Sequence, residues 1–131
     1  YPPHFLQDYL SSMGSSIGIA HGIRKSAKEK VIALIGDSTF FHAGIPALIN
    51  TVFNKSNPLI IILDNRTTAM TGHQPEPGAT IRINSGYQLE VKEGEIPSIK
   101  IEDIVQACGV KNWKVIDPQN FQEMTATIKE L

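Results

Sequence analysis

Two stretches decide the fold: Val31-Ile32-Ala33-Leu34-Ile35, running into Gly36-Asp37-Ser38, and Leu59-Ile60-Ile61-Ile62-Leu63, running into Asp64-Asn65. Both are continuously apolar rather than alternating. That pattern is expected of interior strands in a parallel sheet covered on both faces. Between them, Ala43–Lys55 carries Ile45, Leu48, Ile49, Val52 and Phe53 at helical spacing. Asn54 to Pro58 then closes that helix and opens the next strand. Strand, helix and strand make a βαβ unit with a right-handed crossover.

Upstream of the unit, Ser11–Ala27 is rich in small residues, with Ile17, Ile19 and Ile23 interleaved. It predicts a helix in which Gly14 and Gly18 allow close backbone contact, followed by a solvated, charged connection, Arg24–Lys30. Downstream, Ile101–Cys108 predicts a helix ended by Gly109. Trp113–Ile116 predicts a short third strand, Asp117-Pro118 a turn, and Phe121–Leu131 a final helix. The stretch Thr71–Ser98 holds Pro75, Pro77, Gly78, Gly86, Gly94 and Pro97 and shows no clear helix, although Thr80–Val91 could form a short hairpin. A connection of that length is usually functional or mobile. The expected architecture is one α/β domain over residues 1–131, a three-layer, open, mostly parallel sheet with helices on both faces.

The chain of 131 residues is about one domain long. Twelve Lys+Arg against thirteen Asp+Glu leave a net charge of −1, with 41% hydrophobic and 19% charged residues. This ordinary globular balance gives no electrostatic reason to expect nucleic acid or an anionic membrane as partner. The single cysteine, Cys108, excludes an internal disulfide, a cysteine-based zinc site and an iron–sulfur cluster held by this chain alone. It reads as a small core residue. The longest apolar stretch, Pro58–Leu63, is too short to span a bilayer. The start, Tyr1-Pro2-Pro3-His4, is neither basic nor followed by a long apolar run, so a cytoplasmic setting is expected. A first residue other than Met, and an end within a predicted helix, suggest a piece of a longer polypeptide or one subunit of several.

Ligands of open α/β sheets bind beyond the carboxyl ends of the strands. Here both strands end in polar groups, Gly36-Asp37-Ser38-Thr39 and Asp64-Asn65. The 26 residues Thr39–Asp64 between Ser38 and Asn65 suffice for one loop, one crossover helix and one strand. Gly36 lets backbone approach a ligand with no Cβ in the way. Asp37 offers a hard anionic oxygen and Asn65 a neutral one. With a backbone carbonyl they suit octahedral Mg²⁺, which takes its other ligands from phosphate oxygens and water. The N–H groups of Ser38 and Thr39, just before a helix, point donors at a diphosphate. Taken singly, Gly-Asp-Ser is a turn and Asn65 a strand cap; together, on adjacent strands, they define a candidate site.

Gly36-Asp37-Ser38 followed by Asn65 resembles the thiamin-diphosphate motif, a Gly-Asp-Gly/Ser triplet and then Asn. The tracts Gly36-Asp37-Ser38-Thr39-Phe40-Phe41-His42-Ala43-Gly44-Ile45-Pro46 and Leu63-Asp64-Asn65-Arg66-Thr67-Thr68-Ala69-Met70-Thr71-Gly72-His73-Gln74 are similar to the indolepyruvate:ferredoxin oxidoreductase α subunit family. So is Met13-Gly14-Ser15-Ser16-Ile17-Gly18. The likeness runs from about Ser11 to Gln74 and more weakly through Ile101–Pro118.

The resemblance implies a thiamin-diphosphate-binding fold in which Asp37, Asn65 and the carbonyl of Thr67 hold Mg²⁺. Gly36, Ser38 and Thr39, with Met70 and Thr71, would line the diphosphate, and Met13 and Gly14 would lie near the aminopyrimidine. It implies a partner domain or subunit that supplies the glutamate on the pyrimidine side, for which this chain has no candidate. The implied reaction is oxidative decarboxylation of a 2-oxoacid, the coenzyme's thiazolium ring serving as electron sink. Iron–sulfur clusters outside this chain pass electrons to ferredoxin, and coenzyme A accepts the acyl group. An oligomer follows.

His42, at the start of the crossover helix, and His73 could titrate near neutrality and act as acid or base. The plainer reading of each is a hydrogen-bonding residue. His21 and His4 read as structural or surface groups, Trp113 as packing, and Gln74 as either a substrate contact or a solvated loop position. Two other readings stay open. One is a subunit of a non-oxidative decarboxylase of the sulfo- or phosphono-pyruvate type, and the other a non-catalytic phosphate-binding α/β module. The chain lacks both Gly-x-x-x-x-Gly-Lys-Ser/Thr and a Gly-x-Gly-x-x-Gly opening a helix after a strand, so the common nucleotide cradles are missing.

Overall fold

The protein is described here by a computed structural model covering residues 7–79 and 98–130. The hairpin expected over residues 80–91 lies outside the described residues. Strands β1 (Ile32–Gly36) and β2 (Leu59–Leu63) pair in parallel, Ile32 opposite Leu59 and Gly36 opposite Leu63. The chain passes between them through α2 (Asp37–Thr39), a π-helical turn (Phe40–Gly44) and α3 (Ile45–Phe53), joined head to tail. Helices α1 (Ser16–Ser26), α4 (Ile101–Ala107) and α5 (Phe121–Glu130) complete the described elements.

The core follows from the apolar runs. Ile17 and Ala20 of α1, Ala33 and Ile35 of β1, Phe40 of the π turn and Leu48 of α3 form one buried cluster. Ile60 and Ile62 of β2, and Ile101, Ile104, Val105 and Cys108 from the α4 segment, pack against it. Gly109, at φ 86°, takes the left-handed conformation that ends α4, as the sequence predicted. After Asp117-Pro118, the Asp117 carbonyl and carboxylate accept the N–H groups of Asn120 and Gln119 at 2.9 Å each, making the expected turn before α5.

Several expectations need correction. The sheet has two strands among the described residues. Trp113–Ile116 joins no ladder, and Val115 is 68% exposed. A β-prone tetrapeptide becomes a strand only where a neighbouring edge offers it hydrogen bonds, and none does so among the described residues. Among the described residues the helices do not cover both faces of β1: Ala33 and Ile35 are buried, but Ile32 and Leu34, pointing the other way, are 53% and 41% exposed. Helix α1 begins at Ser16 rather than Ser11, because Gly14 sits at φ 85° and interrupts any right-handed helix. The crossover helix starts at Asp37, six residues before Ala43. Its π turn inserts a residue that lets the Phe40 ring enter the core against Gly44, where an added Cβ would stand 2.8 Å from that ring.

Candidate functional site

Parallel pairing with Gly36 opposite Leu63 makes the chain leave both strands at neighbouring points of the same sheet edge. Asp37, the first residue past β1, is 3% exposed, and its carboxylate ties the two exits together. Its Oδ1 accepts the N–H of Ser38 at 2.7 Å; its Oδ2 accepts those of Asn65 at 3.1 Å and Arg66 at 2.6 Å. Arg66 also directs its N–H at Asp64 Oδ1, 3.1 Å away, and adopts φ 58° so that the chain can turn sharply under the carboxylate.

The loop beyond β2 folds back on itself. Asn65 Oδ1 accepts the N–H of Thr67 at 3.1 Å. Thr68 and Gln74 form an isolated antiparallel bridge, with Thr68 N–H donating to the Gln74 carbonyl at 3.0 Å. Gly72 at φ 117° and His73 at φ 61° close the reversal. The hydroxyls of Ser38 and Thr68 share a hydrogen bond of 2.7 Å, fastening the loop to the start of the crossover helix.

Gly36, Asp37, Ser38, Asn65 and Thr67 therefore converge on one sheet end, and a Cβ on Gly36 would meet nothing within 4 Å, leaving its approach open. Thr39 lies one step further into the helix. Its methyl stands 3.7 Å from the Cβ position of Gly14, which itself would be 2.5 Å from the Ala43 Cβ. The Met13-Gly14 turn thus abuts the same helix start. Met13 and Met70 project into solvent, 74% and 90% exposed. Thr71 donates its hydroxyl to Gln74 Oε1 at 2.6 Å, and Gln74 Nε2 returns a bond to the Thr71 carbonyl at 2.7 Å, so Gln74 is spent within its own loop. His42 and His73 are exposed. His21 bonds Ser56 Oγ at 2.9 Å, the structural role expected of it.

The reading from residues alone gave no role to Thr68 or to the Arg66 N–H. Thr68 was visible only as one of two consecutive threonines, and nothing in an arginine announces a left-handed backbone.

The donor set fits a hard divalent cation. Among the described residues no lysine or arginine pairs with Asp37; the ion pairs there are Arg66 with Asp64 and Lys114 with Glu130. A buried carboxylate without a side-chain cation suits a metal-bound oxygen, and Asp37 Oδ1, with a single N–H on it, keeps a lone pair free. No three His, Cys, Asp or Glu side chains gather into a metal site among the described residues. A cation here would be held by one carboxylate, an amide and a carbonyl, with the balance from a phosphate and water. That is how Mg²⁺ is commonly bound.

A buried carboxylate bridging two parallel strand exits, beside glycine and hydroxyl groups at a helix start, is the layout of a diphosphate-binding α/β domain. Residues 1–131 match the family described as thiamine pyrophosphate enzyme, C-terminal TPP binding domain, and the chain belongs to that family. It is 47% identical over 128 residues to the indolepyruvate oxidoreductase subunit IorA of Methanothermobacter marburgensis, a match taking in 98% of this chain and 19% of that protein. The IorA subunit of Pyrococcus horikoshii is 42% identical over 143 residues, covering 98% of this chain and 21% of that one. The sulfopyruvate decarboxylase subunit beta of Methanococcus maripaludis is 42% identical over 66 residues, half of this chain. The chain spans about a fifth of the length of the IorA subunits it matches. No solved structure matches it significantly. Among the described residues no helix is long and apolar enough to cross a membrane.

Proposed function

We propose that the chain is the coenzyme-binding part of a thiamin-diphosphate-dependent 2-oxoacid:ferredoxin oxidoreductase acting on indolepyruvate-like substrates. The carrying observation is the Asp37 carboxylate, buried and holding the exits of β1 and β2 within hydrogen-bond reach of each other. In this reading Asp37, Asn65 and the Thr67 carbonyl hold Mg²⁺. Gly36, Ser38 and Thr39 receive the diphosphate from the strand side, Met70 and Thr71 from the loop side, and Met13 and Gly14 flank the pyrimidine. When bound, thiamin diphosphate supplies an electron sink for decarboxylation. The chain's own groups anchor and orient it: the Thr39 N–H donates toward a phosphate oxygen, whereas the Ser38 N–H, expected to do the same, is already taken by Asp37 Oδ1 at 2.7 Å, and the two exposed methionines offer apolar cover. Iron–sulfur clusters, ferredoxin, coenzyme A and the groups that complete the pocket belong outside this chain.

The sulfopyruvate decarboxylase alternative is less well supported, since its match covers 50% of the chain against 98% for the IorA subunits. Calorimetry on the complete enzyme, titrating thiamin diphosphate with Mg²⁺ into wild type and Asp37→Ala, tests the proposal. Affinity should fall at least about tenfold in the variant, the loss of one charged ligand contact. Equal affinities would remove the metal role from Asp37.

A further inference from the structure

One residue joins the two ends of the loop beyond β2. Gln74 precedes Pro75, and a residue before proline is biased toward extended backbone. That suits Gln74 to its antiparallel bridge with Thr68. There its carbonyl accepts the Thr68 N–H at 3.0 Å and the Thr67 hydroxyl at 3.3 Å. Its side chain turns back past Gly72, its Nε2 lying 3.5 Å from where a Cβ on that glycine would stand. It then meets Thr71 twice, at the hydroxyl and at the carbonyl, 2.6 and 2.7 Å away. Gln74 is exposed, so hydrogen bonding rather than packing sets this posture.

The paired bonds fix where each proton lies. A carbonyl oxygen only accepts, so the amide nitrogen of Gln74 faces it and the amide oxygen faces the hydroxyl. The Thr71 hydroxyl must therefore donate its one proton to Oε1, and it presents only lone pairs outward. An ionised phosphate oxygen also only accepts, so this hydroxyl does not serve it. The Met70 and Thr71 N–H groups, by contrast, meet no acceptor among the described residues. We infer that Gln74 is a positioning residue of the loop. Its main chain holds the Thr67 end and its side chain the Thr71 end, leaving the Met70 and Thr71 N–H groups, not the Thr71 hydroxyl, to receive the diphosphate. The identity of that ligand rests on the function proposed above; the clamp on Thr71 does not.

Amide exchange in the complete, coenzyme-free enzyme, read by mass spectrometry, tests the clamp. In Gln74→Ala, residues 69–74 should exchange at least about fivefold faster, since two hydrogen bonds of modest net worth are lost. Exchange in β1 and β2 should keep the wild-type rate. An unchanged loop, or equal acceleration in both strands, overturns the inference. Gln74→Glu supplies a readout that a merely structural role would not move. Ionised, its second oxygen confronts the Thr71 carbonyl; protonated, it donates to that carbonyl as Nε2 does. The carbonyl thus lifts this carboxyl above the ordinary glutamate value of about 4.3. Loop exchange relative to wild type should be fast near about pH 8 and return toward the wild-type rate near about pH 5. His73, which titrates in the same range, is common to both proteins. A ratio that is the same at both pH values overturns the inference. Calorimetry with thiamin diphosphate and Mg²⁺ should then show Gln74→Ala binding about fivefold more weakly. Wild-type affinity in Gln74→Ala beside a loss in Asp37→Ala overturns the positioning role and spares the functional reading. Wild-type affinity in Asp37→Ala defeats the functional reading and leaves the exchange result standing.

Discussion

Asp37 Oδ2 accepts the Arg66 N–H at 2.6 Å, a contact between residues 29 apart in sequence that fixes how far the two strand exits can separate. The same oxygen takes the Asn65 N–H, so the carboxylate is at once a fold element and a candidate metal ligand. The two roles separate by substitution. Asp37→Ala leaves three N–H groups without their acceptor and should cost about 3 kcal/mol of stability. Asp37→Asn can keep its oxygen toward the Asn65 and Arg66 N–H groups but turns an amide NH2 toward the Ser38 N–H, and should cost less, about 2 kcal/mol. Both remove the anionic ligand and should weaken thiamin diphosphate–Mg²⁺ binding to a similar extent. Urea unfolding beside calorimetry checks this. If Asp37→Asn bound like wild type, the carboxylate would be a clamp alone.

Gly14 joins the pyrimidine end of the proposed site to the crossover helix. At φ 85° any L side chain is strained by about 1–2 kcal/mol, and the new Cβ of Gly14→Ala would stand 2.5 Å from the Ala43 Cβ. The variant should therefore lose at least about 2 kcal/mol in unfolding measurements. Ala43→Gly in the same chain relieves the clash but not the backbone strain, so it should recover part of the loss. Full recovery would show that φ at position 14 is not held positive.

The strands and the site's two poles were legible because they depend on local composition. Uninterrupted apolar runs, mostly β-branched and leucine residues, stop at Gly36-Asp37 and at Asp64-Asn65, where chain direction and polarity change together. What escaped the sequence is set by distant contacts. Ser38 and Thr39 have modest helix propensity, yet the helix begins at Asp37 because its carboxylate caps its neighbour's N–H and anchors the opposite loop. The π turn answers to the fit of the Phe40 ring against Gly44, Ile35 and Ile17. The left-handed Arg66 and His73 follow from a loop that must return to Thr68. Trp113–Ile116 failed as a strand because β pairing needs a partner edge, which its own residues do not encode.

Cys108 packs against the core, and burial pushes its thiol pKa up from the ordinary value. Its contribution is full below the unfolded thiol pKa, near 8.5. It is lost as pH rises through the higher folded value, because the unfolded chain ionises first. The stability of wild type relative to Cys108→Ala should thus decline between about pH 8 and pH 10. Matched urea titrations of the two proteins cancel the tyrosines and lysines common to both. A difference independent of pH would mean that the thiol is freely hydrated, and alkylation at the rate of a model thiol would say the same.

The hydroxyl pair Ser38 and Thr68, 2.7 Å apart, makes the binding loop a dependant of the helix start. Ser38 is 9% exposed, so a lone hydroxyl left there would lack an easy substitute partner. Ser38→Ala and Thr68→Val should each destabilise, while the double variant should cost less than their sum by about 1 kcal/mol, the worth of one neutral hydrogen bond. Because the bond spans the diphosphate side of the proposed site, both single variants should also speed amide exchange in the 66–74 loop and lower coenzyme affinity by a few-fold. Strict additivity would show that the two hydroxyls act separately. In that event the loop would owe its position to Asp37 alone, and its exchange should quicken in Asp37→Ala yet stay at the wild-type rate in Ser38→Ala.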